Sequence, residues 1–90
     1  FWLSVLVPMF KVEAYLDQCL GSVMAQADAG VEIVICDDAS PDAGAAIAQR
    51  YVDAYPDQVR LLRHPHNRGI SATRNTLIDA AQGEYVWFVD

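Results

Sequence analysis

Val31-Glu32-Ile33-Val34-Ile35-Cys36-Asp37-Asp38-Ala39-Ser40 is the stretch on which the reading of the fold turns. Its first six residues are mainly apolar and β-branched, and the run ends abruptly in two carboxylates. Such a run reads as a buried strand that delivers acid groups to the rim of a sheet. The same decapeptide also suits a simple turn, because Asp and Ser are ordinary turn and helix-cap residues. The remainder of the chain has to choose between the two.

A chain of 90 residues allows at most one domain. At that length a fold buries only about 60–65% of the surface its unfolded chain exposes, so stability without neighbours is marginal. Residues 1–90 open on Phe1-Trp2-Leu3 without an initiator Met and stop after the apolar run Tyr85-Val86-Trp87-Phe88-Val89. The expectation is one incomplete domain. A hydrophobic content of 53% with 20% charged residues is globular. No apolar run approaches the roughly 20 residues of a membrane span, and Phe1 to Val7 lacks the basic leader of a signal peptide.

The formal net charge of −6 argues against a nucleic-acid backbone as partner, because phosphate polymers attract an excess of Lys and Arg. Arg63, Arg68 and Arg74 nevertheless cluster around His64 and His66. That cluster suits a small phosphorylated ligand, and equally a solvated basic loop. Neither histidine has an acidic partner at ligand spacing, so both are read as surface residues. Cys19 and Cys36 form no metal or disulfide spacing and read as buried free thiols in a reducing compartment.

In chain order, Leu3 to Val7 is a short strand stopped by Pro8, which cannot donate to a ladder. Val12, Tyr15, Leu16, Cys19, Leu20, Val23 and Met24 then repeat at helical spacing. The second strand runs from Val31 to Cys36. Ser40-Pro41-Asp42 starts a second helix that reaches Tyr55, with Ala43, Ile47, Tyr51 and Tyr55 inward. Val59 to Arg63 is a less hydrophobic strand suited to an edge. A third helix covers Ser71 to Gln82 with Gly83 as its stop, and Tyr85 to Val89 is a fourth strand. This alternation predicts an α/β fold, a three-layer α/β/α arrangement on a mainly parallel sheet.

Ligands of such sheets sit beyond the C-terminal ends of the strands. That rim would collect Pro8-Met9-Phe10-Lys11, Asp37-Asp38 and Asp90. The glycines form neither G-x-G-x-x-G after the first strand nor a P-loop, so the usual phosphate-cradling turns are absent from the sequence.

Val5-Leu6-Val7-Pro8, Val34-Ile35-Cys36-Asp37-Asp38-Ala39-Ser40, Asn67-Arg68-Gly69-Ile70-Ser71-Ala72-Thr73-Arg74-Asn75 and Gly83-Glu84-Tyr85-Val86-Trp87-Phe88-Val89-Asp90 together resemble the N-terminal half of a family 2 glycosyltransferase of GT-A fold. The resemblance covers essentially the whole chain and truncates the Rossmann-like half after the fourth strand. It implies transfer of a sugar from a nucleotide diphosphate donor, a UDP-sugar above all, to a saccharide or lipid-linked acceptor hydroxyl. The implied reaction inverts the anomeric centre and uses Mg²⁺ or Mn²⁺. The implied setting is cell-envelope polysaccharide synthesis in the cytoplasm, with membrane association of the parent protein left open. By the resemblance, Pro8 to Phe10 and the Asp38 carboxylate hold the nucleobase, and Asp37 supports Asp38. A carboxylate accepts and has no donor of its own, which favours a base presenting an imide N–H. Phe10 as plain core and Asp37 as a helix cap stay open as alternatives.

Arg74 falls with Ile70, Leu77 and Ile78 on what reads as the inward stripe of its helix, where it needs an anion. A diphosphate would serve, and so would an internal salt bridge to Asp37 or Asp38. Arg68 is a second diphosphate candidate. Asp90 matches the first acid of the family's Asp-x-Asp metal motif; the second acid and the catalytic base are expected past residue 90, so this stretch alone is expected to be inactive. Phe10-Lys11 stands where Tyr-Asn is common, and Ala39 where Gly is common. The rivals are a non-catalytic nucleotide-sugar-binding module and a receiver-type phosphoacceptor domain.

Overall fold

A computed structural model describes residues 1–10 and 13–89. Lys11 and Asp90 lie outside the described residues, and with Asp90 the expected metal position. The elements alternate as β1 (Leu3–Met9), α1 (Glu13–Gln26), β2 (Val31–Asp37), α2 (Gly44–Ala54), β3 (Val59–Arg63), α3 (Ile70–Ala80) and β4 (Tyr85–Phe88). All pairings in the sheet are parallel, in the order β3-β2-β1-β4. β3 therefore takes the expected edge. The chain steps outward through β1, β2 and β3 and then returns to the far side of β1. That reversal at β1 and β4 is the switch point of a doubly wound sheet. A receiver domain instead pairs its third strand with its first, so the order rules that rival out.

The sheet carries helices on both faces, as the three-layer reading requires. One core joins Val5, Val7, Met9, Val31, Ile33 and Ile35 to Leu16 and Leu20 of α1 and Ala48 of α2. The other joins Leu6, Val34 and Cys36 to Leu77 of α3. β2 is buried along its whole length, which explains why its residues run apolar instead of alternating.

β1 continues two residues past its predicted end, through Pro8. The Met9 carbonyl accepts from Asp38 N–H on the β2 side, and the Leu6 carbonyl accepts from Val89 N–H on the β4 side. Odd residues of β1 thus bond to β2 and even residues to β4. Pro8 faces the β4 side just beyond the last register pair, Leu6 with Phe88, where no donor is required.

The second helix begins later than expected, and its expected face holds at Ile47 and Tyr51, which pack against the core, but not at its two ends. Gly44 and Ala48 are its buried residues, while Ala43 and Tyr55 are exposed. A Cβ on Gly44 would stand 2.8 Å from Met9 Cε, so a side chain there would displace the flexible end of Met9. Tyr51 keeps its inward role by donating its hydroxyl proton to Asp17 Oδ1 of α1 at 2.6 Å. Gly83 likewise does more than stop a helix. A Cβ there would lie 2.6 Å from the Ser4 backbone nitrogen, so β4 meets β1 at a distance only glycine permits.

Glu32, read as part of an apolar run, is 1% exposed. It accepts from Ser4 Oγ at 2.6 Å, from Gln82 N–H at 2.6 Å and from Arg60 Nη2 at 3.2 Å. Arg60 also donates to the Ala80 carbonyl at 2.6 Å, and Ser4 Oγ accepts from Gly83 N–H at 2.8 Å. This network ties the α3–β4 connection to the opposite end of the sheet from Asp37 and Asp38. Among the described residues, no helix is long and apolar enough to cross a membrane.

Candidate functional site

The register that places Met9 opposite Asp37 brings the end of β1 and the end of β2 to one rim. A cleft of about 400 Å³ opens there, lined by Pro8, Met9, Phe10, Tyr15, Asp38, Asn67, Gly69, Ile70 and Thr73. It lies outside the carboxyl ends of the strands, where α/β sheets hold ligands. Phe10 is 38% exposed, so it is not a plain core residue. Tyr15, expected on the buried stripe of α1, is 55% exposed and forms part of the wall.

Asp38 is buried, and its carboxylate is the centre of the rim. Oδ1 accepts from the Arg68 N–H at 2.9 Å and meets His64 Nδ1 at 2.7 Å, while Oδ2 accepts from the Gly69 N–H at 2.9 Å. Burial alone would raise its pKa, but the Arg68 N–H, the His64 ring and the Gly69 N–H outweigh burial and hold it below the usual carboxylate range. Gly69 can face the carboxylate because it has φ 91° and ψ 168°, a conformation essentially reserved for glycine.

His64 is the residue that sequence reasoning misjudged. It is buried, and Asp38 is its acidic partner across 26 residues of sequence. Its Nε2 lies 2.9 Å from Thr76 Oγ1 of α3 and 3.7 Å from Cys36 Sγ. Spacing along the chain could not reveal this pair, because β2 and β3 align their ends only within the sheet. His66 is exposed, as expected. Cys36 is fully buried, and burial, reinforced by Asp38 and Asp37, pushes its thiol up to about 11, so it is an inert thiol at neutral pH.

Asp37 is also fully buried but does not line the cleft. Its Oδ1 accepts from Ser40 N–H at 2.9 Å, and its Oδ2 is 3.4 Å from Arg63 Nε. It shapes the turn that follows β2 and caps no helix, since α2 starts at Gly44. That turn carries Ala39 at φ 60°, the left-handed region that costs a Cβ-bearing residue about 1–2 kcal/mol. Ala39→Gly relieves that cost against about 0.4–1 kcal/mol lost to the freer unfolded chain, so a net gain of about 0.5 kcal/mol is expected in urea denaturation, and a net loss would show the turn to be unstrained.

Arg74 is not on the inward stripe. The buried residues of α3 are Thr73 and Leu77, and Arg74, about 100° round the helix from Thr73 and about 60° from Leu77, is exposed. Ile78, a further turn of about 100° from Leu77, is exposed as well, and Ile70 is exposed at the first position of α3, where it lines the cleft. Arg74 stacks its guanidinium over the Phe88 ring at 5.1 Å from the centroid. Arg68 contributes its backbone N–H to Asp38, and its side chain is exposed. The cleft thus unites Pro8, Phe10 and Asp38, whereas Asp37, Arg68 and Arg74 do not line it.

No group of three or more His, Cys, Asp or Glu among the described residues could hold a metal ion. Asp38 spends three of its about four acceptor positions on N–H donors, a use that competes with a cation. The described residues do not compose a metal site by themselves, and no chemical step is assigned to a metal.

The family model described as Glycosyl transferase family 2 matches residues 4–90. Glycosyltransferase EpsJ of Bacillus subtilis (strain 168) is 39% identical over 89 residues, covering 97% of this chain and 25% of that protein. Glycosyltransferase GlyA of Streptococcus pneumoniae serotype 4 is 39% identical over 88 residues, covering 98% and 12%. Among solved structures, S. aureus TarS in complex with UDP superposes with a TM-score of 0.89 at 30% identity, covering 100% of this chain and 27% of that one. The mannosyltransferase PcManGT of Pyrobaculum calidifontis, in complex with GDP-Man and Mn²⁺, gives 0.85 at 26% identity, covering 93% and 25%. The chain spans about a quarter or less of the length of these relatives.

Proposed function

Since the chain belongs to glycosyl transferase family 2 and has the α/β architecture of the GT-A enzymes, we propose that it is the donor-binding part of an inverting glycosyltransferase that uses a nucleotide diphosphate sugar. The observation that carries this reading is the rim cleft that sets Phe10 and Asp38 across from Pro8, at the C-terminal ends of β1 and β2. A nucleobase fits there with its face on the Phe10 ring and an N–H directed at Asp38. Carboxylates accept only, so the site selects a base with an imide-type N–H, as in UDP or GDP, over cytosine. UDP and GDP-Man are what the two superposed structures hold, and a UDP-sugar is the donor proposed.

Arg68, whose backbone N–H holds Asp38, and Arg74, stacked on Phe88, are the cations assigned to the diphosphate in this reading. Asp37 supports the site through the turn at Ser40. Mg²⁺ or Mn²⁺ would be held from Asp90 onward, together with the second acid, and the base that deprotonates the acceptor hydroxyl would belong to the same remainder of the parent protein. The acceptor is a saccharide or a lipid-linked saccharide.

Phe10→Ala tests the reading directly. Base stacking on an aromatic ring is worth about 1–3 kcal/mol, so UDP affinity of the full-length protein should fall about tenfold in calorimetric titration. Stability should change little, because the ring is partly exposed. Unchanged UDP affinity would remove Phe10 from the base site.

A further inference from the structure

Asp side chains rotate easily about their last torsion, which is broad and roughly two-fold, so a carboxylate held on one side only is a poor fixed acceptor. Asp38 is held on both. His64 meets Oδ1 together with the Arg68 N–H, and the Gly69 N–H takes one position on Oδ2. An ionised carboxylate offers about four acceptor positions, and these three contacts leave one, on Oδ2. Asp38 lines the cleft beside Phe10 and Gly69, so that position is available to a ligand there.

His64 is itself fixed from three directions. Its backbone N–H donates to the Asp37 carbonyl at 2.9 Å, extending the ladder past β3. Its Nδ1 meets Asp38, and its Nε2 meets Thr76 Oγ1 on α3 at 2.9 Å. Thr76 Oγ1 is anchored in turn to the Ala72 carbonyl at 3.0 Å. The ring therefore transmits the placement of α3 to the Asp38 carboxylate.

The geometry points to His64 as the positioning residue of the nucleobase site, which fixes the plane of the Asp38 carboxylate so that its remaining acceptor position selects a base carrying an imide-type N–H. This rests on the donor-site reading above. His64 lines no part of the cleft, so it acts on the ligand only through Asp38.

The test compares UDP with CDP, whose cytosine has no N–H at the corresponding ring nitrogen, by calorimetric titration into the full-length protein. A hydrogen bond to a charged acceptor corresponds to a preference of about tenfold to a hundredfold for UDP in the wild type. In His64→Ala the ratio should collapse to below about threefold, while a merely structural role would weaken both nucleotides equally and leave the ratio intact. His64→Asn keeps a donor where Nδ1 stood and should retain most of the ratio. A ratio unchanged in His64→Ala, or lost equally in His64→Asn, would overturn the positioning role while leaving the donor site standing. If His64→Ala does not fold, Thr76→Val carries the test: a ratio at least about threefold below wild type supports positioning, and an unchanged ratio overturns it. A wild type that binds UDP and CDP alike overturns the donor-site reading, and this inference with it.

Discussion

Glu32→Ala is expected to cost about 2–3 kcal/mol of folding stability, the scale of leaving a buried donor without its acceptor together with the loss of the bonds from Ser4 and Arg60. Small domains have only about 5–15 kcal/mol in total, so the variant should be largely destabilised in urea denaturation. The size follows from what the side chain does. Glu32 is 1% exposed and receives Ser4 Oγ, the Gln82 N–H and Arg60. Removing it leaves the Gln82 N–H without its acceptor, at a junction where Gly83 is already in backbone contact with Ser4, while Arg60 keeps the Ala80 carbonyl and solvent. Glu32→Gln keeps the shape, loses the charge and should cost less. A loss below about 1 kcal/mol in Glu32→Ala would mean that the penalty of burying the carboxylate cancels its bonds.

Glu32 also predicts an acid limit. Burial alone would raise its pKa, but the bonds from Ser4, Gln82 and Arg60 prevail and lower it in the folded state. A depressed folded pKa contributes stability that is present above the unfolded value, about 4.3 for Glu and 3.9 for Asp. That contribution is lost as pH falls through the folded pKa. Asp38 is lowered as well, so the two carboxylates should act in the same window. Unfolding free energy is expected to decline below about pH 5, with a shallower slope in the Glu32→Gln, Asp38→Asn double variant. Equal slopes in wild type and double variant would assign the acid limit to other groups.

Asp38→Ala should have the largest effect on binding. It removes the acceptor of the Arg68 and Gly69 N–H groups and of the His64 ring in one step. The loop at residues 67–69 then loses its anchor to β2, at a stability cost of about 3 kcal/mol, and the cleft loses its only carboxylate among the described residues. UDP affinity of the full-length protein is expected to fall more than about a hundredfold. Asp38→Asn separates the two effects, because its amide retains one accepting oxygen for the loop while presenting a donor to the base. Equal UDP affinity in wild type and Asp38→Asn would show that Asp38 organises the loop and does not read the base.

The buried site and the buried network were hidden from the sequence for a common reason. His64 and Asp38 are 26 residues apart, Glu32 and Gln82 are 50 apart, and Ser4 and Gly83 are 79 apart. Each pair meets only because parallel strands connected by crossovers bring equivalent ends side by side. A glutamate inside an apolar run, and a histidine just after an edge strand, carry no local sign that a partner awaits. On α3 the expected inward stripe of Ile70, Arg74, Leu77 and Ile78 holds only at Leu77, which packs against the core of Leu6, Val34 and Cys36, while Thr73 is the other buried residue.

Periodicity, turn residues and strand length by themselves determined the α/β alternation, the parallel sheet, the edge position of β3 and the rim on which Pro8, Phe10, Asp37 and Asp38 gather. These are local properties of the backbone, written in repeats of two and 3.6 residues. Only the tertiary structure decided which of those side chains face the cleft, which hold one another and which turn outward. Those outcomes depend on the packing and hydrogen-bond geometry of residues distant in sequence, and a buried carboxylate acquires its role only when its donors are in place.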